Sequence, residues 1–220
     1  MQNYFKRQIQ LWGEETQTLL STKKIAIIGA GGLGSSLAFA LGSSGIGEID
    51  IVDFDEVNIH NIHRQIAFTL EDIKKNKAQV NAQMIKKRSP YVKSTAYECD
   101  FEQWMQLQKK VDLIIDATDN LSSRVKIDQY AKKTNTPWIY GSVEAFHGQV
   151  CFFDNASFQD IFKINEKTPE GVATPMVMQI ASFQANLALR YLADLPIQKD
   201  ILYYFAFNKE GEFINQKFIL

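Results

Sequence analysis

The sequence predicts an α/β fold, a doubly wound Rossmann-like sheet that is mostly parallel and ends in antiparallel C-terminal strands. Three observations support this fold class. Short apolar runs at 24–28 and 111–116 have the composition of strands buried on both faces of a parallel sheet. Segments of helical periodicity separate such runs, as they do in βαβ units. The final part of the chain instead has two β-rich runs around 208–211, the pattern of a hairpin.

The individual elements follow from local patterns along the chain. Residues 1–22 predict an N-terminal helical segment with an apolar stripe of Ile9, Leu11 and Trp12. A strand at 24–28, a glycine turn, a helix at 35–41 and a strand at 49–53 then form a βαβ unit. We predict later helices at 70–87, 101–109, 121–132 and 174–195, and later strands at 94–97, 111–116, 136–140, 148–153, 201–207 and 213–218.

The chain length predicts a single domain, 1–220, with a C-terminal elaboration. A chain of 220 residues is long for one compact unit and too short for two domains of ordinary size. Residues 155–171 are unusually many for a connection without secondary structure, so we expect a crossing loop that covers the active site. Residues 201–220 are expected to form the C-terminal hairpin.

Charge and cysteine content exclude several classes of function. The chain has 24 basic and 25 acidic residues, so no global field draws it to nucleic acid or an anionic membrane. The two cysteines, Cys99 and Cys151, lie far apart, which excludes a disulfide framework and a CxxC metal site. No apolar run approaches the roughly 20 residues that span a bilayer, and no signal peptide is recognisable. We therefore expect a cytoplasmic protein.

A glycine motif after the first strand predicts a nucleotide site. Gly29, Gly31 and Gly34 match GxGxxG, in which glycines allow a tight turn and let backbone amides face phosphate. Asp53 ends the second strand about 20 residues later, the spacing of a carboxylate that accepts hydrogen bonds from ribose hydroxyls. Glycines that serve close packing alone are the alternative.

Cations further along the chain favour a triphosphate over a dinucleotide. The glycine motif alone fits an NAD-dependent dehydrogenase equally well, but Arg64 and Lys77 follow it. A carboxylate that attacks a phosphate approaches a centre that is already anionic, and cations neutralise the charge that builds up. The alternative for Arg64 is an ordinary surface side chain.

Six motifs follow one another along the chain: Arg7-Gln8, Gly29-Ala30-Gly31-Gly32-Leu33-Gly34, Asp53-Phe54-Asp55, Asn61-Ile62-His63-Arg64-Gln65, Lys77 and Asp116-Ala117-Thr118-Asp119-Asn120. Their order and spacing resemble those of the ThiF/MoeB/HesA family, which includes the adenylation domains of ubiquitin-activating enzymes. The resemblance continues through 171–175 and 182–185 and covers most of the chain.

The resemblance implies an ATP-dependent adenylyltransferase that uses Mg²⁺. Arg7 would act across a homodimer interface on the other subunit's ATP, and Asp119 would position Mg²⁺. The implied catalytic residues are Arg7, Arg64, Lys77 and Asp119. The implied nucleotide-binding residues are Gly29, Gly31, Gly32, Gly34, Asp53, Asp55, Asn61, Gln65 and Asn120.

The implied substrate is a ubiquitin-like sulfur carrier protein with a Gly-Gly C-terminus. It would be ThiS-like or MoaD-like, in thiamine or molybdopterin biosynthesis, and the residues do not separate these two. A tRNA-modifying dehydratase of the same superfamily and a non-catalytic nucleotide-binding subunit remain as alternatives. The near-neutral charge argues against the tRNA-modifying dehydratase. The presence of Arg7, Arg64, Lys77 and Asp119 argues against a non-catalytic subunit.

The chain departs from the family pattern in its cysteines. Many relatives have two CxxC pairs that bind zinc, and since this chain has none we predict no zinc site. Many also have a cysteine before the Gly-Val-x-x-Pro stretch, whereas 165–170 has none here, so covalent thioester or persulfide chemistry is not expected there. Cys151 reads as a core residue, and acidic neighbours oppose thiolate formation at Cys99.

Histidines and terminal aromatic residues have a structural and a functional interpretation. His60 and His63 are spaced to share a metal ion, but we favour loop packing. The aromatic residues of 203–205, with Phe213 and Phe218, fit either a carrier-docking surface or the packing of a terminal hairpin, and we favour packing.

Overall fold

The computed structural model describes residues 2–162 and 171–220. The helices in these ranges are α1 (Lys6–Leu20), α2 (Gly32–Leu41), α3 (Lys77–Arg88), α4 (Phe101–Gln106), α5 (Leu121–Thr134), α6 (Phe158–Ile161) and α7 (Thr174–Leu192). The strands are β1 (Lys24–Ile28), β2 (Glu48–Val52), β3 (Lys93–Tyr97), β4 (Leu113–Asp116), β5 (Trp138–Glu144), β6 (His147–Phe153), β7 (Ile201–Phe207) and β8 (Phe213–Ile219).

All eight strands form one sheet in the order β3-β2-β1-β4-β5-β6-β7-β8. The five strands from β3 to β5 run parallel, with Ile28 of β1 level with both Val52 of β2 and Asp116 of β4. From β5 onward the pairing is antiparallel, and β7 and β8 form a hairpin. The predicted fold class is therefore confirmed.

Two apolar layers cover the two faces of the sheet. Ile25 and Ile27 of β1 pack in one layer, with α2, α3 and α7, and the alternate residues Ala26 and Ile28 pack in the other, with α4 and α5. The second layer contains the fully buried rings of Trp104 and Trp138. Helices on both faces explain why β1 is apolar at every position after Lys24, since neither face meets water.

The chain order creates a topological switch point between β1 and β4. Successive strands after β1 extend the sheet to one side as far as β3, and the chain then returns to add β4 on the other side. Loops diverge at such a switch point and leave a crevice at the carboxyl ends of the strands. The glycine turn after Ile28 and the turn after Asp116 flank this crevice.

The predicted helix at 70–87 is wrong in its first part. Leu70–Asp72 is a short 3₁₀ turn, closed by the Thr69 amide and hydroxyl, which both donate to the Asp72 carboxylate. Lys74 has a φ of 69°, which an α-helix cannot accommodate. The helix begins at Lys77 because the Asn76 side chain caps it by accepting from the Gln79 amide at 3.0 Å.

Two later helices end earlier than predicted. Helix α4 ends at Gln106 and α7 at Leu192, because Gln108 and Asp194 adopt left-handed backbone with φ of 49° and 53°. The stretch from 155 that we expected to lack secondary structure contains α6. Helix α1 is kinked at Gly13, whose φ is 86°.

Candidate active site

Two of the motif glycines are required by close packing within the turn. Gly29 has a φ of 97°, and a Cβ there would lie 2.5 Å from the Ala117 carbonyl oxygen. A Cβ on Gly34 would lie 2.0 Å from the carbonyl oxygen of Gly29. The first contact presses the turn after β1 against the turn after β4, and the second keeps the turn itself tight. Gly29 and Gly34 thus have a packing role, and their contact with a nucleotide stays a prediction.

Gly31 and Gly32 lie at the open side of the turn. Gly31 is the N-cap of α2 and offers no side-chain cap, so the amides of the first helical turn lack an internal partner. A Cβ on Gly31 would meet only the Gln65 side chain, at 3.4 Å, whereas one on Gly32 would approach Val177 of α7 at 3.0 Å. Uncapped amides at a helix N-terminus fit a phosphate group.

Asp53 lies directly beside the glycine turn. Its Oδ2 accepts from the Ala30 amide at 2.6 Å and its Oδ1 from the Asp55 amide at 2.8 Å. Burial raises the pKa of the Asp53 carboxyl, and these two N–H donors oppose the rise. Each oxygen retains a lone pair, so the carboxylate can still accept hydrogen bonds from a ribose.

Lys77 is held at the same edge of the sheet by a short ion pair. Its Nζ lies 2.7 Å from Asp55 Oδ2, with the Lys77 side chain 9% and the Asp55 side chain 52% exposed. The Asn76 amide group donates to the carbonyl oxygens of Asp53 and Asp55 at 3.0 and 3.3 Å, which fixes the start of α3 against the end of β2. Lys77 is thereby placed close enough to Asp53 to oppose the rise of that carboxyl's pKa.

Arg64 is half-buried in the loop that faces the glycine turn. Its backbone carbonyl oxygen would lie 3.8 Å from a Cβ on Gly32. Its Nη1 donates to the His60 carbonyl oxygen at 3.0 Å and lies 2.9 Å from His63 Nε2. The hydroxyl of Thr174, the first residue of α7, donates to the His63 carbonyl oxygen at 2.8 Å. Both histidines therefore support Arg64, in agreement with a loop-packing role.

Asn61 and Gln65 are buried on either side of Arg64. Asn61 Oδ1 accepts from the Asn58 amide at 2.9 Å and so closes the 3₁₀ turn of this loop. Gln65 Oε1 is buried and has no hydrogen-bond partner. The part of Gln65 that lies nearest the glycine turn is its amide Nε2, which would be 3.4 Å from a Cβ on Gly31, so this side chain presents a donor to the turn.

Asp119 and Asn120 form the turn after β4. Asp119 is exposed, and the Asn120 side chain caps α5 by accepting from the Ser123 amide at 2.8 Å. Residues 2–162 and 171–220 contain no group of three or more His, Cys, Asp or Glu side chains arranged to hold a metal ion. Mg²⁺ is commonly bound by one or two carboxylates together with substrate phosphates, so a lone Asp119 fits that ion.

Arg7 lies on the outer face of α1. It is exposed, and its Nη1 donates to Gln10 Oε1 at 3.2 Å within the same helix. Leu11, beside it on this face, is 75% exposed. The guanidinium is thus directed outward, and its predicted action on another subunit remains a prediction.

Three buried residues meet at the end of β4, and the sequence analysis gave none of them a role of its own. Arg124 Nε donates to Asp116 Oδ2 at 3.2 Å, with exposures of 7% and 0%. Gln184 of α7 donates to the Asp116 carbonyl oxygen at 2.8 Å. Burial raises the pKa of the Asp116 carboxyl, against the opposing effect of Arg124. The available signal in the sequence for this ion pair was Asp116 at the end of an apolar strand, followed by Arg124 two helical turns later.

The described ends of the predicted crossing loop are anchored to the sheet. The Asp200 carboxylate accepts hydrogen bonds from the three consecutive amides of 154–156. At the other end, the Ala145 amide donates to the Gly171 carbonyl oxygen at 2.7 Å, and Ala173 donates back to Ala145 at 3.0 Å. The segment 165–170, where a family cysteine is missing, lies outside the described residues.

Neither cysteine is activated. Cys151 is fully buried in β6, and burial raises the pKa of its thiol well above the ordinary range. Burial and the neighbouring Asp100 also raise the pKa of Cys99. Both thiols are thus held in the protonated form, which is a poor nucleophile.

The terminal aromatic residues divide between packing and exposure. The rings of Tyr203 and Phe205 pack against Phe183 of α7 with centroid distances of 4.8 and 4.9 Å. Phe213 and Phe218 of β8 are each 48% exposed. Packing therefore accounts for the first pair and only in part for the second. Among the described residues, no helix has both the length and the apolar character needed to cross a membrane.

Known proteins resemble this chain over most of its length. The profile of the ThiF family matches residues 5–216. The sulfur carrier protein adenylyltransferase of Thermus thermophilus is 32% identical over 143 residues, or 64% of this chain and 53% of that protein. The sulfur carrier protein ThiS adenylyltransferase of Escherichia coli is 31% identical over 191 residues, or 81% of this chain and 76% of that protein.

A solved structure shares the fold at lower sequence identity. Escherichia coli MccB with ATP superposes with a TM-score of 0.82 and 19% identity, covering 97% of this chain and 71% of that chain. The chain spans about half the length of the Thermus thermophilus relative, 53%.

Proposed function

Because the chain belongs to the ThiF family, we propose that it is an adenylyltransferase for a ubiquitin-like sulfur carrier protein. The reaction activates the C-terminal glycine carboxylate of the carrier with ATP and releases pyrophosphate. The carrier is ThiS-like or MoaD-like, so the pathway is thiamine or molybdopterin biosynthesis. The names of the relatives that match the chain support this class of substrate.

One observation carries the proposal: two basic residues and a carboxylate lie around a glycine turn with uncapped amides. Lys77 pairs with Asp55 at the end of β2 and acts electrostatically on Asp53. Arg64 lies across the turn, with its backbone carbonyl oxygen near Gly32 and its guanidinium held by the His60 carbonyl oxygen. A dehydrogenase has no need of cations at both sides of the turn, whereas a triphosphate requires them.

The ATP ribose is assigned to Asp53 and the phosphates to the first turn of α2. Ribose hydroxyls donate to the two Asp53 oxygens, each of which now accepts a single backbone N–H. Gly31 leaves the space that a phosphate needs. Gln65 offers its amide N–H donors beside Gly31.

In the reaction, a carboxylate oxygen of the carrier forms a bond to the α-phosphorus of ATP. The bond from that phosphorus to the bridging oxygen breaks, and pyrophosphate leaves with the electron pair. Arg64 and Lys77 neutralise the charge that accumulates on the phosphate oxygens. Mg²⁺, when bound, supplies further neutralisation of the phosphates, and Asp119 is the residue that would hold it. No side-chain nucleophile is required.

The product is an acyl-adenylate that a separate sulfurtransferase consumes. The protonated thiols of Cys99 and Cys151 support this division of labour. We further propose a homodimer in which Arg7 reaches the ATP of the other subunit, since its guanidinium is directed away from its own body. The two free cysteines fit a reducing cytoplasm.

The test is exchange of labelled pyrophosphate into ATP, with ThiS-like and MoaD-like carriers assayed separately. We expect exchange with one of them and none with the same carrier shortened by its terminal glycine. Exchange without any carrier, or its absence with both carriers in a protein that binds ATP, would contradict the proposal.

A further inference from the structure

The turn that carries Asp119 is held from both sides by buried groups. Asp116 Oδ1 accepts from the Thr118 amide at 2.9 Å and from the Thr118 hydroxyl at 2.7 Å. Arg124 Nη2 donates to the Thr118 carbonyl oxygen at 2.8 Å. Both backbone polar groups of the residue before Asp119 are therefore fixed.

Arg124 also connects this turn to the next strand. The same Nη2 donates to the Gly141 carbonyl oxygen of β5 at 3.2 Å, and the guanidinium lies over the Tyr140 ring, 5.1 Å from its centroid. Together with the bond to Asp116, one planar group bridges β4, the turn and β5. A lysine has one ammonium point in place of this fork and cannot make these bonds in the same directions.

The position of this ion pair requires an explanation beyond stability. Replacing a buried ion pair with apolar residues is often neutral or stabilising, so such a pair adds little to the free energy of folding. Here it lies under the turn that leads to the exposed carboxylate of Asp119, and this turn packs tightly against the glycine turn, Gly29 against Ala117. The geometry suits accurate placement of that carboxylate.

We propose that Arg124 is a positioning residue that sets the place of Asp119 relative to the phosphates of bound ATP. This inference rests on the proposed function, in which Asp119 holds Mg²⁺. Arg124 touches neither nucleotide nor metal, and it acts through the Thr118 backbone. Partners that orient a metal ligand in this way typically contribute about 10- to 100-fold to metal affinity or activity.

Calorimetric titration with ATP, in Mg²⁺ and in EDTA, tests this role without depending on turnover. Arg124→Lys is expected to lose about 10- to 100-fold of the affinity that Mg²⁺ adds, with the affinity in EDTA unchanged. Asp119→Ala should show the same loss, and the double variant should lose no more than Asp119→Ala alone. A purely structural role predicts additive losses, or a loss in EDTA as well.

A matched control is Arg190→Lys, which removes a guanidinium bond to the Pro196 carbonyl oxygen near the far end of α7. It should bind ATP like the wild type under both conditions. If Arg124→Lys does not fold, Thr118→Val removes only the hydroxyl bond to Asp116 and should give the same pattern in smaller measure.

The outcomes separate the two proposals. Equal ATP affinity with and without Mg²⁺ in the wild type, or unaltered Mg²⁺ dependence in Arg124→Lys, would overturn the positioning role. Normal Mg²⁺-dependent binding without carrier-dependent pyrophosphate exchange would overturn the proposed function and leave the assignment of Arg124 standing.

Discussion

Two aspartate–cation pairs lie on opposite sides of the crevice at the glycine turn, and they differ in their access to water. Asp55 and Lys77, after β2, are 2.7 Å apart with the carboxylate 52% exposed. Asp116 and Arg124, after β4, are 3.2 Å apart with exposures of 0% and 7%. A ligand phosphate can replace the exposed carboxylate as the partner of Lys77, whereas nothing can reach the buried pair. The Asp55–Lys77 pair is therefore suited to exchange its carboxylate for a ligand phosphate, and the Asp116–Arg124 pair is suited to keep the turn after β4 in one conformation.

The largest expected effect is on folding, at the buried pair. Asp116→Asn leaves the Arg124 charge buried without a counter-ion, and the free energy of unfolding should fall by about 3 to 5 kcal/mol. Chemical denaturation measures the change. Glu102→Gln is the matched control, because its pair with Lys126 is shorter than the buried pair, at 2.7 Å, but 51% and 40% exposed. Its loss should cost less than about 1 kcal/mol. Similar losses in both variants would remove the distinction between buried and exposed pairs.

The next effect is on the reaction, at the cation opposite Lys77. Arg64→Ala should weaken transition-state stabilisation by about 3 to 4 kcal/mol in pyrophosphate exchange, because a cation aimed at the developing charge is lost. Its circular dichroism and unfolding midpoint should stay close to those of the wild type, since Arg64 is bonded only within its own loop in the described structure. Turnover close to wild type would show that the cation cluster is misassigned.

The smallest effect is expected at the Asp55–Lys77 pair, whose carboxylate is exposed. Asp55→Ala frees the Lys77 ammonium, so ATP affinity should rise by up to about fivefold, the equivalent of about 1 kcal/mol for such a pair. Calorimetry in EDTA measures it. Weaker binding would instead mean that Asp55 contacts the nucleotide directly, as the family resemblance implies, and the exchange of partners at Lys77 would be wrong.

The sequence was sufficient for the features that depend on local pattern. The apolar run 24–28 predicted β1, the glycines predicted the turn at the switch point, and the motif spacing brought Asp53 beside that turn. These features depend on neighbours in the chain and on the regular alternation of strands and helices. They are visible without knowledge of the tertiary structure.

The features that the sequence analysis missed are of two kinds: a helix boundary at which two local signals disagree, and contacts between residues far apart in the chain. The capping residue Asn76 indicates a helix that starts at Lys77, but the polar periodicity from Leu70 onward favours a longer helix. The Asp116–Arg124 pair could not be predicted, because a strand end and a helix face meet only once the sheet is assembled. The Gln184 side chain donates to the backbone carbonyl oxygen of Asp116 from 68 residues further along the chain, so no local pattern indicates this contact.

The three tryptophans lie in two different environments, so the fluorescence of the protein can follow two separate events. Trp104 and Trp138 are fully buried in the layer under α4 and α5, while Trp12 lies half-buried on α1 with its indole N–H bonded to Gln17 at 3.2 Å. Intrinsic fluorescence consequently has two separable sources. Loss of the core changes the emission of the buried pair, and attachment of another chain over α1 changes that of Trp12, so Trp12→Phe divides the two signals without any added dye.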